Sequence, residues 1–264
     1  MSDLTILTVL RSYAQMNPER LPVSILFNHT ETCLTVFDAF PKAIFHFLVL
    51  PRIKPPLGVD DLTDLRTLLK CNKKKAGAVL KELSDEADNV KKMIQEEMLS
   101  RYGFQWEIWT GFHPVPSMQH LHLHIISSDL CSGKLKNKKH YNSFHPKLGF
   151  FLHLSDVLSW FEADPSFFEM RAQLKPRDYQ PLLKEELACF KCGRAMKNMP
   201  TLKTHLQVEW DDEARKEKAR IARKRKREES QSCQSSSSQA DANKGEGRSA
   251  KRSPEISDDR ATNI

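Results

Sequence analysis

The sequence predicts an α+β domain with a mainly antiparallel sheet and one long helix. A small metal-binding module and a basic, largely disordered tail are expected to follow. Three observations carry that expectation. Short apolar runs mark a hairpin-like pair before residue 51 and alternating residues mark further strands after residue 103, with helical periodicity between them. The run His120-Leu121-His122-Leu123-His124 then alternates imidazole and leucine. Finally, C-x-x-C, twelve residues and H-x-x-x-E over 189–209 has finger spacing.

The elements follow in order. Leu4, Leu7, Val9, Leu10, Tyr13 and Ala14 fit a short amphipathic helix over 3–14, capped by Ser2 or Asp3, within a lead-in of residues 1–30. Cys33–Phe37 reads as a strand, Asp38–Lys42 as a turn, and Ile44–Leu50 as a second strand stopped by Pro51. Asp60 to Arg101 reads as helix, with one stripe at Leu62, Leu65, Leu68 and Leu69. A second stripe runs from Val79 and Leu80 to Ile94 and Met98. Phe104–Trp109 alternates as a strand, and His120–Ser127 is its expected partner.

Composition narrows the class. Hydrophobic residues make up 39% of 264, below the usual globular share, so part of the chain must stay unburied. The net charge of +7 is uneven: residues 213–264 hold 14 basic and 9 acidic residues, the remainder 27 and 25. Any nucleic-acid contact by the folded part therefore comes from local clusters rather than a global field. No apolar run approaches the roughly 18 residues that span a bilayer, and no secretory leader pattern opens the chain. The six cysteines do not form a disulfide framework, which fits an intracellular protein.

On a strand rising about 3.3 Å per residue, His120, His122 and His124 share one face at about 6.6 Å intervals, with the leucines turned to a core. Such a row suits either a metal or nucleophilic catalysis. Just upstream, Gly111-Phe112-His113-Pro114-Val115-Pro116-Ser117-Met118 supplies a fourth histidine and a turn able to hold a phosphate. Downstream, the lysines of 134–139 lead to Tyr141 and Phe144. That pattern fits either a solvated loop or phosphate contact. In the second module Cys189, Cys192, His205 and Glu209 form a zinc set, because carboxylate oxygen ligates zinc; water or Asp212 are alternative fourth ligands. Leu202 and Leu206 pack its helix. The bland alternative is a chance C-x-x-C beside an ordinary helix. Arg223–Arg227 are five consecutive basic residues, suited to nuclear localisation, a DNA arm, or both. Residues 211–222 also read as a solvated helix extension, and disorder is expected from about 229.

These motifs carry a resemblance. His120-Leu-His122-Leu-His124-Ile-Ile matches the histidine-triad pattern. The segments Gly111–Met118 and Leu135–Phe144, with the finger, resemble the aprataxins, the DNA-repair branch of that superfamily. The H-x-x-x-E ending is similar to fungal members, and the likeness covers about residues 30–212. Thirty residues leave no room for an N-terminal forkhead-associated domain. The resemblance implies a histidine-triad catalytic domain over 31–165, a DNA-binding finger over 166–212 and a basic tail over 213–264. It implies removal of AMP from 5′-adenylated ends of nicked or broken DNA, through an adenylyl-histidine, leaving a 5′-phosphate and AMP. By motif position, His122 is the nucleophile, His113 assists the leaving group, and His120 and His124 flank the phosphate and fix the tautomer. Asp38 holds the ribose. Phe40, Pro41, Lys42, Ser117, Met118, Ser132, Lys136 and Lys139 line the nucleotide and DNA end, and the first helix is a candidate wedge against the terminal base pair. Structural zinc, no catalytic metal, no membrane, a monomer and a nuclear location are the accompanying expectations. The alternatives are a triad hydrolase of small nucleotides, such as dinucleoside polyphosphates or phosphoramidates, and a non-catalytic DNA adaptor.

Overall fold

In the computed structural model the described residues are 7–242. They divide between Arg215 and Lys216 into two units. The first is built on a six-stranded sheet in the order β1-β2-β3-β5-β4-β6, with every pairing antiparallel. The strands are β1 Leu26–His29, β2 Cys33–Phe37, β3 His46–Pro51, β4 Ile108–Phe112, β5 Leu123–Ser127 and β6 Leu152–His153.

Several expected bounds move. β1 lies in the segment read as a lead-in, so the sheet begins before residue 31. The expected strand Phe104–Trp109 is displaced to 108–112, because Phe104 and Trp106 are buried in a cluster of rings instead of a ladder. His120, Leu121 and His122 precede the strand rather than opening it, since His120 has φ 90° and breaks the pleat. The expected helix over 60–101 is two, α2 Leu65–Lys70 and α3 Lys73–Tyr102. Asn72 divides them by capping α3, accepting from the N–H groups of Lys74 and Lys75. The first helix, α1, is Val9–Gln15; residues 3–6 of the expected span, with the cap candidates Ser2 and Asp3, lie outside those described.

The sheet is covered on both faces. α3 lies across one, and its Glu86 accepts from Thr35 Oγ1 at 2.9 Å. On the other, Leu10 of α1 joins Leu21, Leu34, Val36, Leu48 and Leu50 in one cluster. A second cluster on that face joins Ile126 and Phe151 to Tyr141 and Phe144, and to Cys189, Leu202 and Leu206. Tyr141 belongs to α4 Lys138–Asn142. The metal-binding module is therefore built into the core of the sheet domain rather than set apart from residue 166. Helices α5 Leu154–Glu162, α6 Pro165–Ala172 and α7 Pro176–Tyr179 lead to it.

The last helix, α8, runs Met199–Ala242. Residues 213–242, expected in a largely disordered tail, are helical. From 213 to 229 the sequence is rich in Ala, Glu, Lys and Arg, which favour helix, and Arg220–Glu217 and Lys224–Glu228 are i,i+3 and i,i+4 ion pairs. No helix among the described residues is long and apolar enough to cross a membrane.

Candidate active site

Strand pairing gathers the histidines. β5 carries His124 and is entered from His122; β3 opens with His46; and His113 follows β4 directly. Gly111 opposes His124, which brings the end of β4 beside β5. The ring centroids of His113, His122 and His46 lie 4.4, 5.0 and 5.3 Å from that of His124. Phe144 edges onto both His46 and His124, at 5.1 Å each. His46, His120, His122 and His124 are all buried.

Hydrogen-bond partners assign the protons. His122 Nδ1–H donates to the His120 carbonyl at 2.8 Å, leaving the Nε2 lone pair outward as a nucleophile. His46 Nδ1 accepts the Lys42 N–H at 3.2 Å, so its proton is on Nε2. That Nε2–H donates to His124 Nδ1 at 3.0 Å, with Asp38 Oδ2 3.5 Å away. His124 therefore keeps its proton on Nε2, an atom that is buried and has no partner among the described residues. It is a donor waiting for an acceptor. His113 Nε2–H donates to the Ser143 carbonyl at 3.0 Å.

Burial pushes every one of these imidazoles below its ordinary value: His113 to about 3, His46 to about 4, His122 down and His124 well down. Each shift favours the neutral imidazole. Lys42 is also buried, and its Nζ donates to the Phe40 carbonyl. Burial lowers its affinity for a proton, and the Asp38 carboxylate opposes that. Asp38 Oδ1 accepts the Phe40 N–H at 2.7 Å, which holds the Asp38–Lys42 turn in shape.

The expected residues are not all gathered at one place. His120 is in the site through its carbonyl; its imidazole turns away and donates from Nε2 to the Pro51 carbonyl at 2.7 Å. The three imidazoles therefore do not share one face, because the positive φ of His120 rotates its side chain out of the row. Asp38 and Lys42 border the site at His46, Pro41 lines a cavity that also holds Phe45, Met93 and Glu97, and Phe40 is 62% exposed. Ser117 is exposed, while Met118 packs into the α1 cluster. Ser132 Oγ accepts the Lys134 N–H, and Lys136 and Lys139 face solvent. His46 went unrecognised in the sequence. Its only signal is a polar residue in the apolar run Ile44–Leu50. His140, also unforeseen, is half-buried with Nδ1 unpartnered; burial lowers it first, and nearby Lys42 adds to that.

The second site is as spaced. One ligand atom from each of Cys189, Cys192, His205 and Glu209 lies within 4.8 Å of the others. Cys192 Sγ is 3.2 Å from His205 Nε2, which is 3.3 Å from Glu209 Oε1. Tetrahedral zinc with bonds of about 2.0–2.3 Å needs ligand separations of about 3.3–3.8 Å, so the set fits the ion. His205 and Glu209 are one turn apart on α8, whose Leu202 and Leu206 are 0% and 1% exposed. The lysine loop is tied to this module. Tyr141 Oη donates to the Ala188 carbonyl at 2.8 Å, and Asn142 Nδ2 to the Glu185 carbonyl at 2.9 Å.

Comparison with known proteins matches both parts of the chain. Residues 147–212 match a family described as the C2HE / C2H2 / C2HC zinc-binding finger. Residues 11–140 match one described as scavenger mRNA decapping enzyme C-term binding. The aprataxin-like protein of Schizosaccharomyces pombe is 32% identical over 190 residues, 70% of this chain and 74% of that protein. The aprataxin-like protein of Drosophila melanogaster is 35% identical over 190 residues, and aprataxin of Ciona intestinalis 30% over 186. These stretches are 72% and 69% of this chain, which spans only 24% and 42% of those two relatives. The solved structure of the aprataxin ortholog Hnt3 from S. pombe superposes with a TM-score of 0.58 at 27% identity, over 80% of this chain and 93% of that one. Hnt3 solved in complex with DNA and guanosine gives 0.58 at 28%, over 79% and 97%. A histidine-triad sheet with a C2HE finger built into its core, matched over most of the length of a fungal relative, places this chain in the aprataxin family.

Proposed function

We propose that this chain is a DNA-repair hydrolase that removes AMP from 5′-adenylated DNA ends. The observation that carries the reading is the His122 tautomer: its Nδ1–H is held by the His120 carbonyl, so Nε2 presents a lone pair among neutral imidazoles. His122 Nε2 attacks the AMP phosphorus, a P–N bond forms, and the P–O bond to the 5′-phosphate of the DNA breaks. Water then attacks the same phosphorus, the P–N bond breaks, and AMP leaves with His122 restored. His124 Nε2–H meets a non-bridging oxygen and stabilises the charge that develops there. His113 assists the departing phosphate, whose negative charge raises the imidazole's affinity for a proton. Asp38 faces the ribose hydroxyls. The histidines supply the charge stabilisation, and no catalytic metal is assigned. Zinc, when bound by Cys189, Cys192, His205 and Glu209, braces the finger.

The substrate assignment rests on the lysine loop being tied to the finger, and on relatives of the same build, one of them solved with DNA. Lys136 and Lys139, with Phe40 and Ser117, are assigned to the DNA end, Met118 and Ser132 to support of the same surface, and α1 to the terminal base pair. A monomer acting in the nucleus, with the basic α8 as localisation signal or DNA arm, completes the reading. A second reading, hydrolysis of small capped or dinucleoside polyphosphates, is favoured by the decapping-enzyme match over 11–140. A gel assay on nicked 5′-adenylated DNA separates them. AMP release that His122→Ala abolishes while DNA binding persists supports the first. Turnover of free nucleotides alone supports the second, and binding without turnover leaves an adaptor.

A further inference from the structure

The segment entering β3 carries Asp38 and Lys42 and ends at His46, yet ladder pairing with β5 begins only at His46 itself. The two preceding N–H groups, of Ile44 and Phe45, need other acceptors. Both are met from the end of β5. Asp129 Oδ2 accepts from Ile44 N–H at 2.9 Å and Cys131 N–H at 3.0 Å. Asp129 Oδ1 accepts from Ser127 Oγ–H and from Trp106 Nε1–H at 3.1 Å. Ser127 Oγ in turn accepts Phe45 N–H at 3.0 Å. Asp129 is 1% exposed and receives four donors, so it has no free acceptor and no access to substrate.

Trp106 extends this network outward. Its ring lies 5.8 Å from Phe45, the neighbour of His46, and 5.7 Å from Trp210. Trp210 follows Glu209 of the zinc set and also meets Tyr102 at 5.7 Å. The finger helix is thus seated on the ring whose N–H braces Asp129.

We infer that Asp129 is a positioning residue that holds His46 against His124, and that Trp106 transmits the seating of the finger helix to it. The inference rests on the hydrolase reading above for its kinetic arm only. The finger then does more than meet DNA: its docking sets the rate of chemistry, even on a substrate too small to touch it. The coupling runs through contiguous packed rings and buried hydrogen bonds, from Trp210 to Trp106 to Asp129.

The test uses the full chain and a small phosphoramidate of AMP, alongside nitrogen NMR of the histidine rings. Asp129→Asn keeps the shape but replaces one acceptor with a donor; Trp106→Phe keeps a ring and removes only the N–H; Trp210→Ala unseats the helix. All three are expected to lower kcat, Asp129→Asn about tenfold, with KM within about twofold, and to shift the His46 and His124 nitrogen signals. The Asp129→Asn, Trp210→Ala double variant should be no slower than Asp129→Asn alone, since both act on one group. Thermal melts confirm that each variant is folded at the assay temperature. Folded Asp129→Asn or Trp106→Phe with wild-type kcat and unmoved imidazole signals overturns the inference, as do fully additive losses. If the wild-type chain releases no AMP from any adenylated substrate, the hydrolase reading fails, and the imidazole signals still decide the positioning.

Discussion

Replacing His46 with alanine tests the proton assignment on which the reaction depends. His46 Nε2–H is the group that keeps the His124 proton on Nε2, at 3.0 Å across β3 and β5. Without it the His124 ring is free to carry its proton on Nδ1, and the donor aimed at phosphate is lost for part of the time. The smallest effect is the loss of one orienting hydrogen bond, about 0.5–1.5 kcal/mol, or about 2- to 12-fold in rate. The largest is complete loss of a donor to the developing charge, about 10²–10³-fold. His124→Ala sets that upper limit directly. Because His46 acts through His124, the double variant should be no slower than His124→Ala alone. Single-turnover AMP release from nicked 5′-adenylated DNA measures all three, with a melt to confirm folding. A His46→Ala enzyme at wild-type rate, or losses that multiply in the double variant, refutes the assignment.

Three further outcomes follow from the geometry. Replacing both Cys189 and Cys192 with serine should abolish zinc in metal analysis. A loss of about 2.7 kcal/mol, the stabilisation from zinc at a hundred times its Kd, lowers Tm by about 5–11 °C at about 2–4 °C per kcal/mol. An unchanged melt would separate the finger from the shared core that contains Cys189, Leu206 and Ile126. Gly111→Ala places a Cβ 2.5 Å from the Leu152 carbonyl and 2.7 Å from the Phe151 ring, so it should cost about 1–3 kcal/mol in denaturant unfolding; wild-type stability would contradict the pairing of β4 with β6. Acid should weaken the fold early. His46, His113 and His120 have folded values of about 4, 3 and 4, below the unfolded value near 6.5, so the unfolded chain binds more protons between those limits. Stability is complete above about pH 6.5 and falls as pH drops toward 4, by up to about 1.4 kcal/mol per unit for each group. Urea midpoints that stay level from pH 7 to 5 would show these histidines to be charged in the fold.

By itself the sequence determined what short-range geometry can encode. The short apolar and β-branched run Cys33–Phe37, bounded by the Asp38–Lys42 turn, located β2 to the residue; its first four residues are all buried because both faces of the sheet are covered. C-x-x-C and H-x-x-x-E located the zinc set, because residues four apart on a helix lie one turn above each other. The order of hairpin, helix and histidine strand also sufficed for the α+β class. The tertiary structure decided what depends on residues far apart in the chain. His46 enters the site from 78 residues away through the β3–β5 ladder, which no local pattern announces. His120 looked like a third imidazole in the row; its positive φ, held by N–H donation to the Thr63 carbonyl at 3.0 Å, makes its carbonyl the working group. The finger looked like a separate module, and packing made it part of the core beneath the active site. Local sequence chose the chemical groups, while long-range pairing and burial chose their protons, partners and direction.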